Sequence, residues 1–320
     1  MVINKEVKSM RVAIIGRSEL MYETMLLLER FGFELACVIT AKEAPEYRIK
    51  VSEFVAFADR HNIPSLVTSK LGSEESSEFM NKVGALDLGL SVNFSGIIPQ
   101  DVIDRFAIGI LNAHGGDLPR YRGNACQAWA LINGEDQIGL CIHKMIGGEL
   151  DSGDIIEREY YPANINTKIG EVWSWMHERI PHLFLSAAQK LAENPSYILE
   201  AQSKDPKNAL RCYPRKPEDG KIDWSKSAEE ILRLINASGP PYAGAFTYLE
   251  GEKVVILDAE LVEDGEVFCA VPGQVTQIGT KEGSITVACG QGKLALSDVR
   301  RDTESQLLHV NSLRQRFSND

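Results

Sequence analysis

The chain has 320 residues, of which 44% are apolar and 25% are charged, and its formal net charge is −11. At roughly 100–200 residues per domain, this length predicts a globular protein with two domains. The excess of acidic residues disfavours a surface that binds nucleic acid or an anionic membrane. The first ten residues lack the apolar core of a signal peptide, and no run of 18 apolar residues occurs, so we expect a cytoplasmic protein.

The cysteines and most of the histidines give no metal signature. The cysteines are widely spaced and include no CxxC pair, so we predict reduced thiols and neither a zinc site nor a disulfide framework. His177 and His182 lie five residues apart on a helix that Pro181 is expected to kink or break, which disfavours a metal site. His143 lies in a predicted strand and is expected to be a core residue. The six cysteines are Cys37, Cys126, Cys141, Cys212, Cys269 and Cys289.

The first part of the chain alternates strands and helices. Residues 11–15 form an apolar strand ending at Gly16, residues 20–30 have helical spacing, and residues 33–40 form a second strand. This order predicts a Rossmann-like α/β domain with a mostly parallel sheet. The turn after the first strand, GRSELMYE, lacks the GxGxxG glycines that let a pyrophosphate approach the backbone, so a dinucleotide site is not expected.

The last third has a different pattern. A polar, proline-rich stretch is followed by a helix that Ser225 or Ser227 can cap, and then by about five short alternating runs with glycine-rich turns. Such runs predict a small β-barrel, and its apolar and aromatic residues leave a homodimer open. The predicted divisions are a catalytic domain at 1–203, a linker at 204–224, a barrel at 225–303 and a polar tail at 304–320.

Three polar residues follow two predicted strands in the middle of the chain. Asn112 and His114 end one strand and lie two residues apart, so their side chains leave the same face. Asp151 follows another strand, in a glycine-flanked loop. An amide, an imidazole and a carboxylate are the parts of a site that stabilises an oxyanion and moves protons. Each residue alone also has an ordinary structural role, in a turn, in packing or as a cap.

The motifs around these residues resemble one family. Asn-Ala-His at 112–114, LPRYRG at 118–123 and LDSGD at 150–154 resemble the folate-dependent formyltransferases, which use 10-formyltetrahydrofolate as co-substrate and no metal. PPYAGAFTYLEG, at 240–251, resembles the start of the OB-like C-terminal domain of the transfer-RNA and aminoarabinose formyltransferases. The resemblance implies a Rossmann-like catalytic domain followed by an OB-like barrel.

The resemblance also implies roles for individual residues. Asn112 and His114 would stabilise the oxyanion, with Asp151 as the proton relay. Arg120 and Arg122 would contact a phosphate or carboxylate of the acceptor, or else pin their loop. Many members have Pro-Ser or Gly-Ser after the histidine where this chain has Gly-Gly-Asp, so Asp117 is a candidate to hold the acceptor's amino group. The candidate folate-binding residues are Phe94, Ser95, Gly96, Ile97, Ile98, Ile146 and Leu150.

The acceptor is predicted from charge. Residues 41–50, AKEAPEYRIK, are short and mixed in charge rather than a basic insertion, and the whole chain is acidic. We therefore expect a small-molecule acceptor, a nucleotide-linked amino sugar of the kind used for surface polysaccharides, and neither nucleic acid nor a membrane as partner. The alternatives are methionyl-tRNA, another small amine, hydrolysis of the formyl folate, and a non-catalytic folate or nucleotide sensor.

Overall fold

The computed structural model of the chain describes residues 10–44, 47–279, 284–301, 308 and 310–318. Among those residues, no helix combines the length and the apolar character that a membrane crossing requires. The described residues form two units. The first unit takes its residues from Met1–Arg122, Gly139–Glu159 and Trp175–Leu210, and the second from Gly123–Ile138, Tyr160–Ser174 and Arg211–Asp320.

The first part of the chain builds a seven-stranded sheet in the order β3-β2-β1-β4-β5-β7-β8. Strands β1 to β5 run parallel, and β7 pairs antiparallel with β5. This mostly parallel sheet confirms the predicted α/β fold class. Its strands are β1 (Arg11–Gly16), β2 (Glu34–Thr40), β3 (Ser65–Val67), β4 (Leu86–Val92), β5 (Phe106–His114), β7 (Gln137–Lys144) and β8 (Ile155–Pro162).

Strand β1 is buried on both faces, as a strand inside a parallel sheet must be. Val12 and Ile14 pack into one apolar core, whereas Ala13 and Ile15 pack into another, following the two-residue period of a strand. The other strands and the helices contribute the remaining apolar residues of these cores. The helices between and after the strands are α1 (Glu19–Arg30), α2 (Val51–Arg60), α3 (Glu74–Val83), α4 (Gln100–Ile103) and α6 (Ile169–Glu193).

Helix α6 is not broken at Pro181, because it continues through this residue as one helix of 25 residues. A proline inside a helix removes one backbone hydrogen bond. Ile180 and Phe184, on either side of it, are almost fully buried in the apolar core, and this packing offsets the loss. Within the described part of the chain, no group of three or more His, Cys, Asp or Glu side chains is placed to hold a metal ion. The six cysteines are free thiols.

The second unit contains a six-stranded antiparallel sheet in the order β12-β13-β14-β11-β10-β15, which confirms the barrel-like part of the predicted fold. Ser227 caps helix α7 by accepting a hydrogen bond from the backbone N–H of Glu230. Two short strands, β6 (Arg122–Gly123) and β9 (Arg211–Cys212), pair with each other. The remaining elements are α5 (Cys126–Asn133), α7 (Ala228–Ser238), β10 (Ala245–Leu249), β11 (Glu252–Leu261), β12 (Val275–Ile278), β13 (Ile285–Ala288), β14 (Lys293–Arg301) and β15 (Phe317–Ser318).

Both ends of the barrel segment carry buried aromatic residues. Trp224, in the predicted linker, is 3% exposed, and its indole N–H donates to the Thr247 hydroxyl at 2.9 Å. Phe317, in the predicted tail, is buried and belongs to β15, which pairs with β10. Residues 304–307, 309, 319 and 320 of that tail lie outside the described residues, as do residues 302 and 303 at the end of the predicted barrel. Trp224 of the predicted linker and Phe317 of the predicted tail therefore contribute to the core of the second unit.

We predict that Gly153→Ala destabilises the protein by about 1–3 kcal/mol or more, because an added Cβ overpacks this site. The Cβ would lie 1.9 Å from the carbonyl oxygen of Lys144, at the end of β7. The urea midpoint measures the effect. Gly239→Ala is the matched control, since its backbone φ is −65° and its Cβ would have no heavy atom nearer than 3.8 Å. Equal midpoints for the two variants would contradict this account of Gly153.

Candidate active site

The predicted catalytic residues meet at the carboxyl end of β5. Asn112 and His114 are on this strand, with Asn112 beside Ser91 of the parallel strand β4. Asp151 is in the 147–154 loop, which connects β7 to β8. Open α/β sheets bind ligands beyond the carboxyl ends of their strands, so the three residues lie where such a fold forms a site.

His114 is held through one ring nitrogen and faces Asp151 with the other. Its Nε2–H donates to the carbonyl oxygen of Tyr121 at 2.7 Å, since that oxygen can only accept. Its Nδ1 lies 3.5 Å from Asp151 Oδ2. The side chains of His114 and Asp151 are 8% and 13% exposed, so their interaction is little screened by water. The structure therefore brings the predicted imidazole and carboxylate together.

The pKa of His114 is lowered from its ordinary value. Burial of the ring is the largest cause. The Asp151 carboxylate and the bond to Tyr121 act in the opposite direction, whereas His143 and Arg122 lower the pKa further. Burial disfavours the charged imidazolium, so the ring is neutral near pH 7. A neutral imidazole with one unprotonated nitrogen can accept a proton, as a general base must.

His143 also belongs to this site, which the sequence analysis missed. The residue is buried, as expected of a core position. Its Nε2 lies 3.3 Å from Asn112 Nδ2 and 3.5 Å from Asp151 Oδ1. Strand β7 pairs antiparallel with β5 so that His143 lies directly opposite Asn112. This register depends on strand pairing between distant segments, and the sequence around His143 contains no signal for it.

Gln202 is the second residue that the sequence analysis missed. Its side-chain N–H groups donate to the carbonyl oxygens of Asp151, at 3.0 Å, and Gly153, at 2.6 Å, and its Oε1 accepts from Arg122. Asp151 has a backbone φ of 47°, a left-handed conformation that costs energy outside glycine. These hydrogen bonds hold the strained loop in place. Asp154 accepts from the backbone N–H of Gln202 at 3.2 Å.

The two loops proposed for folate binding touch each other. Gly147 N–H donates to the side-chain oxygen of Gln100 at 2.7 Å, where Gln100 begins the helix that follows the 93–99 loop. Phe94 of that loop and Met145 are partly buried against the same apolar core. The predicted folate-binding residues therefore lie on two neighbouring segments, one with residues 94–98 and the other with Ile146 and Leu150.

Two large apolar side chains on these loops are exposed where the folate is predicted to bind. Ile98 is buried, but Ile97 is 85% exposed and Leu150 is 38% exposed. Exposed apolar side chains next to a polar site offer a surface on which a flat aromatic ring can pack. The folate-binding roles of Phe94, Ser95, Gly96, Ile97, Ile98, Ile146 and Leu150 stay predictions.

The predicted acceptor-binding residues lie in different surroundings. Asp117 forms an ion pair with Arg158, which also pairs with Glu200. Arg122 donates to Gln202, so it helps to hold the 147–154 loop. Arg120 lies over the ring of Tyr121, with its guanidinium carbon 5.2 Å from the ring centroid.

Arg120 also lines a surface cavity of about 520 Å³. Lys207 and Asn208 line the same cavity. Two cationic side chains and an amide can bind a phosphate or a carboxylate. The roles of Asp117, Arg120 and Arg122 toward the acceptor stay predictions.

Comparison with known proteins decides the family. Residues 10–187 match the family model described as formyl transferase, and residues 215–314 match the one described as formyl transferase, C-terminal domain. The chain belongs to the formyl transferase family. It is therefore a formyltransferase.

Curated relatives of this formyltransferase include methionyl-tRNA formyltransferases. The one from Geotalea uraniireducens is 31% identical over 307 residues, covering 93% of this chain and 92% of the relative. The one from Acetivibrio thermocellus is 30% identical over 308 residues, covering 93% and 94%. Both alignments include the catalytic and the C-terminal parts.

Solved structures share the fold at lower identity. WlaRD, a sugar 3N-formyl transferase crystallised with dTDP and 5-N-formyl-THF, has a TM-score of 0.64 and 19% identity, with 92% of this chain and 98% of that chain covered. An N-formyltransferase from Helicobacter canadensis, in complex with folinic acid and dTDP-3-aminofucose, has a TM-score of 0.64 and 17% identity, covering 90% and 98%. The two-part architecture of the formyltransferase is thus found across relatives that differ widely in sequence.

The lowered pKa of His114 predicts an acid-dependent loss of stability. An unfolded histidine titrates near pH 6.5, so below that pH the unfolded chain binds a proton that the buried ring resists, and stability falls with pH. We expect the unfolding free energy to fall less between pH 7.5 and 5 in His114→Gln than in the wild type, as measured by urea titration. His182→Gln, which removes an exposed histidine, is the matched control. Equal pH slopes for the wild type and His114→Gln would contradict the assignment.

Proposed function

We propose that this formyltransferase uses Asn112, His114 and Asp151 to transfer the formyl group of 10-formyltetrahydrofolate to the amine of methionyl-tRNA. The observation that carries the reaction is the cluster at the end of β5. There the buried His114 and Asp151 side chains lie 3.5 Å apart, and Asn112 is on the same strand and face as His114.

The chemistry follows from these groups. The amine nitrogen attacks the formyl carbon, a new C–N bond forms and the carbonyl oxygen becomes an oxyanion. The Asn112 amide donates to that oxyanion. Collapse of the adduct breaks the bond between the formyl carbon and N10 of the folate. The proton lost by the amine passes to the pair of Asp151 and His114 Nδ1, and then to the departing N10.

The curated relatives support methionyl-tRNA as the acceptor. Proteins with that name match this chain over 93% of its length at about 30% identity. The match includes the C-terminal region as well as the catalytic domain. The sequence analysis ranked this acceptor second, because net charge disfavoured nucleic acid. Net charge is a sum over the whole surface, and a local basic region can bind a phosphate backbone within an acidic protein.

A nucleotide-linked amino sugar is the second candidate acceptor. The net charge of −11 and the mixed charge of residues 41–50 favour it, since tRNA binding depends on neutralising many phosphates. WlaRD, a sugar 3N-formyl transferase, and the Helicobacter canadensis N-formyltransferase, in complex with dTDP-3-aminofucose, share the fold. Both candidate acceptors present an amine together with phosphate groups.

A direct assay separates the candidates. The purified protein is given 10-formyltetrahydrofolate with charged initiator tRNA, with UDP-, dTDP- and GDP-linked amino sugars, or with no acceptor. We expect formylation of methionyl-tRNA that weakens steeply with added salt. Transfer only to a nucleotide sugar would replace tRNA by the second candidate. Release of formate without an acceptor would indicate a hydrolase, and folate binding without turnover would indicate a sensor.

We predict that Asn112→Ala reduces turnover by about 10²–10³, the usual cost of losing one group that stabilises an oxyanion. His114→Ala should reduce turnover by about 10²–10⁴, the usual contribution of a group that transfers a proton. The thermal midpoint shows whether each variant is folded, and binding of the folate by calorimetry shows whether its site is intact. Asn81→Ala, which removes an exposed asparagine on α3, is the matched control. A folded Asn112→Ala enzyme with wild-type turnover would exclude the proposed role of the amide.

We also predict that Arg120 and Lys207 bind a phosphate of the acceptor through the cavity that both line. Arg120→Ala or Lys207→Ala should then raise the KM of the acceptor about 10-fold, since one charge-assisted hydrogen bond contributes roughly 1.5–3 kcal/mol. The KM of the folate and kcat should change little. Lys204→Ala, at a nearby exposed lysine outside the cavity, is the control, and equal acceptor KM values for Lys204→Ala and Arg120→Ala would count against this site.

A further inference from the structure

His143 lies on the neighbouring strand, directly across from Asn112. Antiparallel pairing of β5 and β7 sets the two residues opposite each other, so their side chains leave the same face of the sheet at close range. The His143 side chain is 3% exposed. A buried imidazole next to a proposed catalytic amide can determine how that amide is oriented.

The backbone determines the tautomer of His143. Its Nδ1 lies 2.9 Å from the carbonyl oxygen of Lys144. A carbonyl oxygen only accepts hydrogen bonds, so Nδ1 carries the hydrogen and donates. In the neutral ring, Nε2 then has no hydrogen and acts as an acceptor. The hydrogen bond that Nδ1 donates thus makes Nε2 a hydrogen-bond acceptor.

The unprotonated Nε2 of His143 in turn determines the orientation of the Asn112 amide. His143 Nε2 lies 3.3 Å from the amide nitrogen Nδ2, and this nitrogen has two hydrogens, of which one is donated to the ring. In the opposite orientation the amide oxygen would face Nε2, and two acceptors would be in contact without a hydrogen between them. The tautomer therefore selects the orientation in which the amide nitrogen faces β7.

We infer that His143 is a positioning residue that orients the Asn112 amide, so that the second N–H of Asn112 stays available to the oxyanion. The inference rests on the proposed role of Asn112 in formyl transfer. His143 acts through Asn112 and does not touch the substrate. His143 itself does not have to gain or lose a proton during the reaction.

Three variants test the inference through kcat. His143→Leu fills the space without an acceptor, and we expect kcat to fall about 10- to 100-fold, as for a misplaced catalytic group, with little change in the KM of the folate. His143→Gln places a side-chain oxygen where Nε2 was and should restore kcat to within about 5-fold of the wild type. His143→Asn places its amide near the Nδ1 position and should behave like His143→Leu. Equal kcat for the Gln and Asn variants would overturn the inference.

A double-mutant cycle separates positioning from mere packing. If His143 acts only through Asn112, His143→Leu should not reduce kcat further in an Asn112→Ala background. A residue that merely supports the fold would reduce kcat by the same factor in both backgrounds, and this result would overturn the inference.

A measurement on the wild type is independent of turnover. Long-range ¹H–¹⁵N NMR shows which nitrogen of His143 is protonated, and we expect Nδ1–H with an unprotonated Nε2. Protonation of Nε2 alone would overturn the inference even if formyl transfer is confirmed. If instead the wild type formylates no acceptor, the proposed function fails, and this failure is recognised in the acceptor assay and not in the NMR spectrum.

Discussion

The antiparallel pairing of β7 with β5 is the constraint on which the candidate active site depends. The strands before β5 run parallel, and their chain reversals are made by helices. At β5 the direction changes, so the end of β7 lies beside Asn112 and the loop that leaves β7 carries Asp151 back over His114.

The 147–154 loop shows how a strained conformation is maintained. Asp151 occupies a left-handed backbone conformation, and Gln202 binds the carbonyl oxygens of Asp151 and Gly153. Gln202 is itself bound by Arg122, which the sequence analysis considered only as an acceptor ligand or a loop pin. The carboxylate is therefore positioned before any substrate arrives. Such preorganisation is what makes electrostatic stabilisation of a transition state effective.

The parts of the site that lie within short motifs could be predicted from the sequence, whereas the parts that depend on distant pairing could not. Asn112 and His114 share a face because a strand alternates, and the structure places Asp151 beside His114 as expected. His143 and Gln202 join them only through strand register and through a segment about fifty residues away. The sequence did not decide whether Pro181 breaks helix α6, since local propensity does not include the apolar packing of Ile180 and Phe184. Net charge alone does not decide between the two candidate acceptors, because it carries no information about where the charges lie.

The exposure of Ile97 has a thermodynamic consequence. A large aliphatic side chain that is 85% exposed beside the site orders water around it in the free enzyme. A ligand that covers Ile97 and the neighbouring Leu150 releases this water, and burial of apolar surface is accompanied by a negative heat-capacity change. Binding at this loop would therefore become more exothermic as the temperature rises, and the slope of that change reports how much apolar surface the ligand covers.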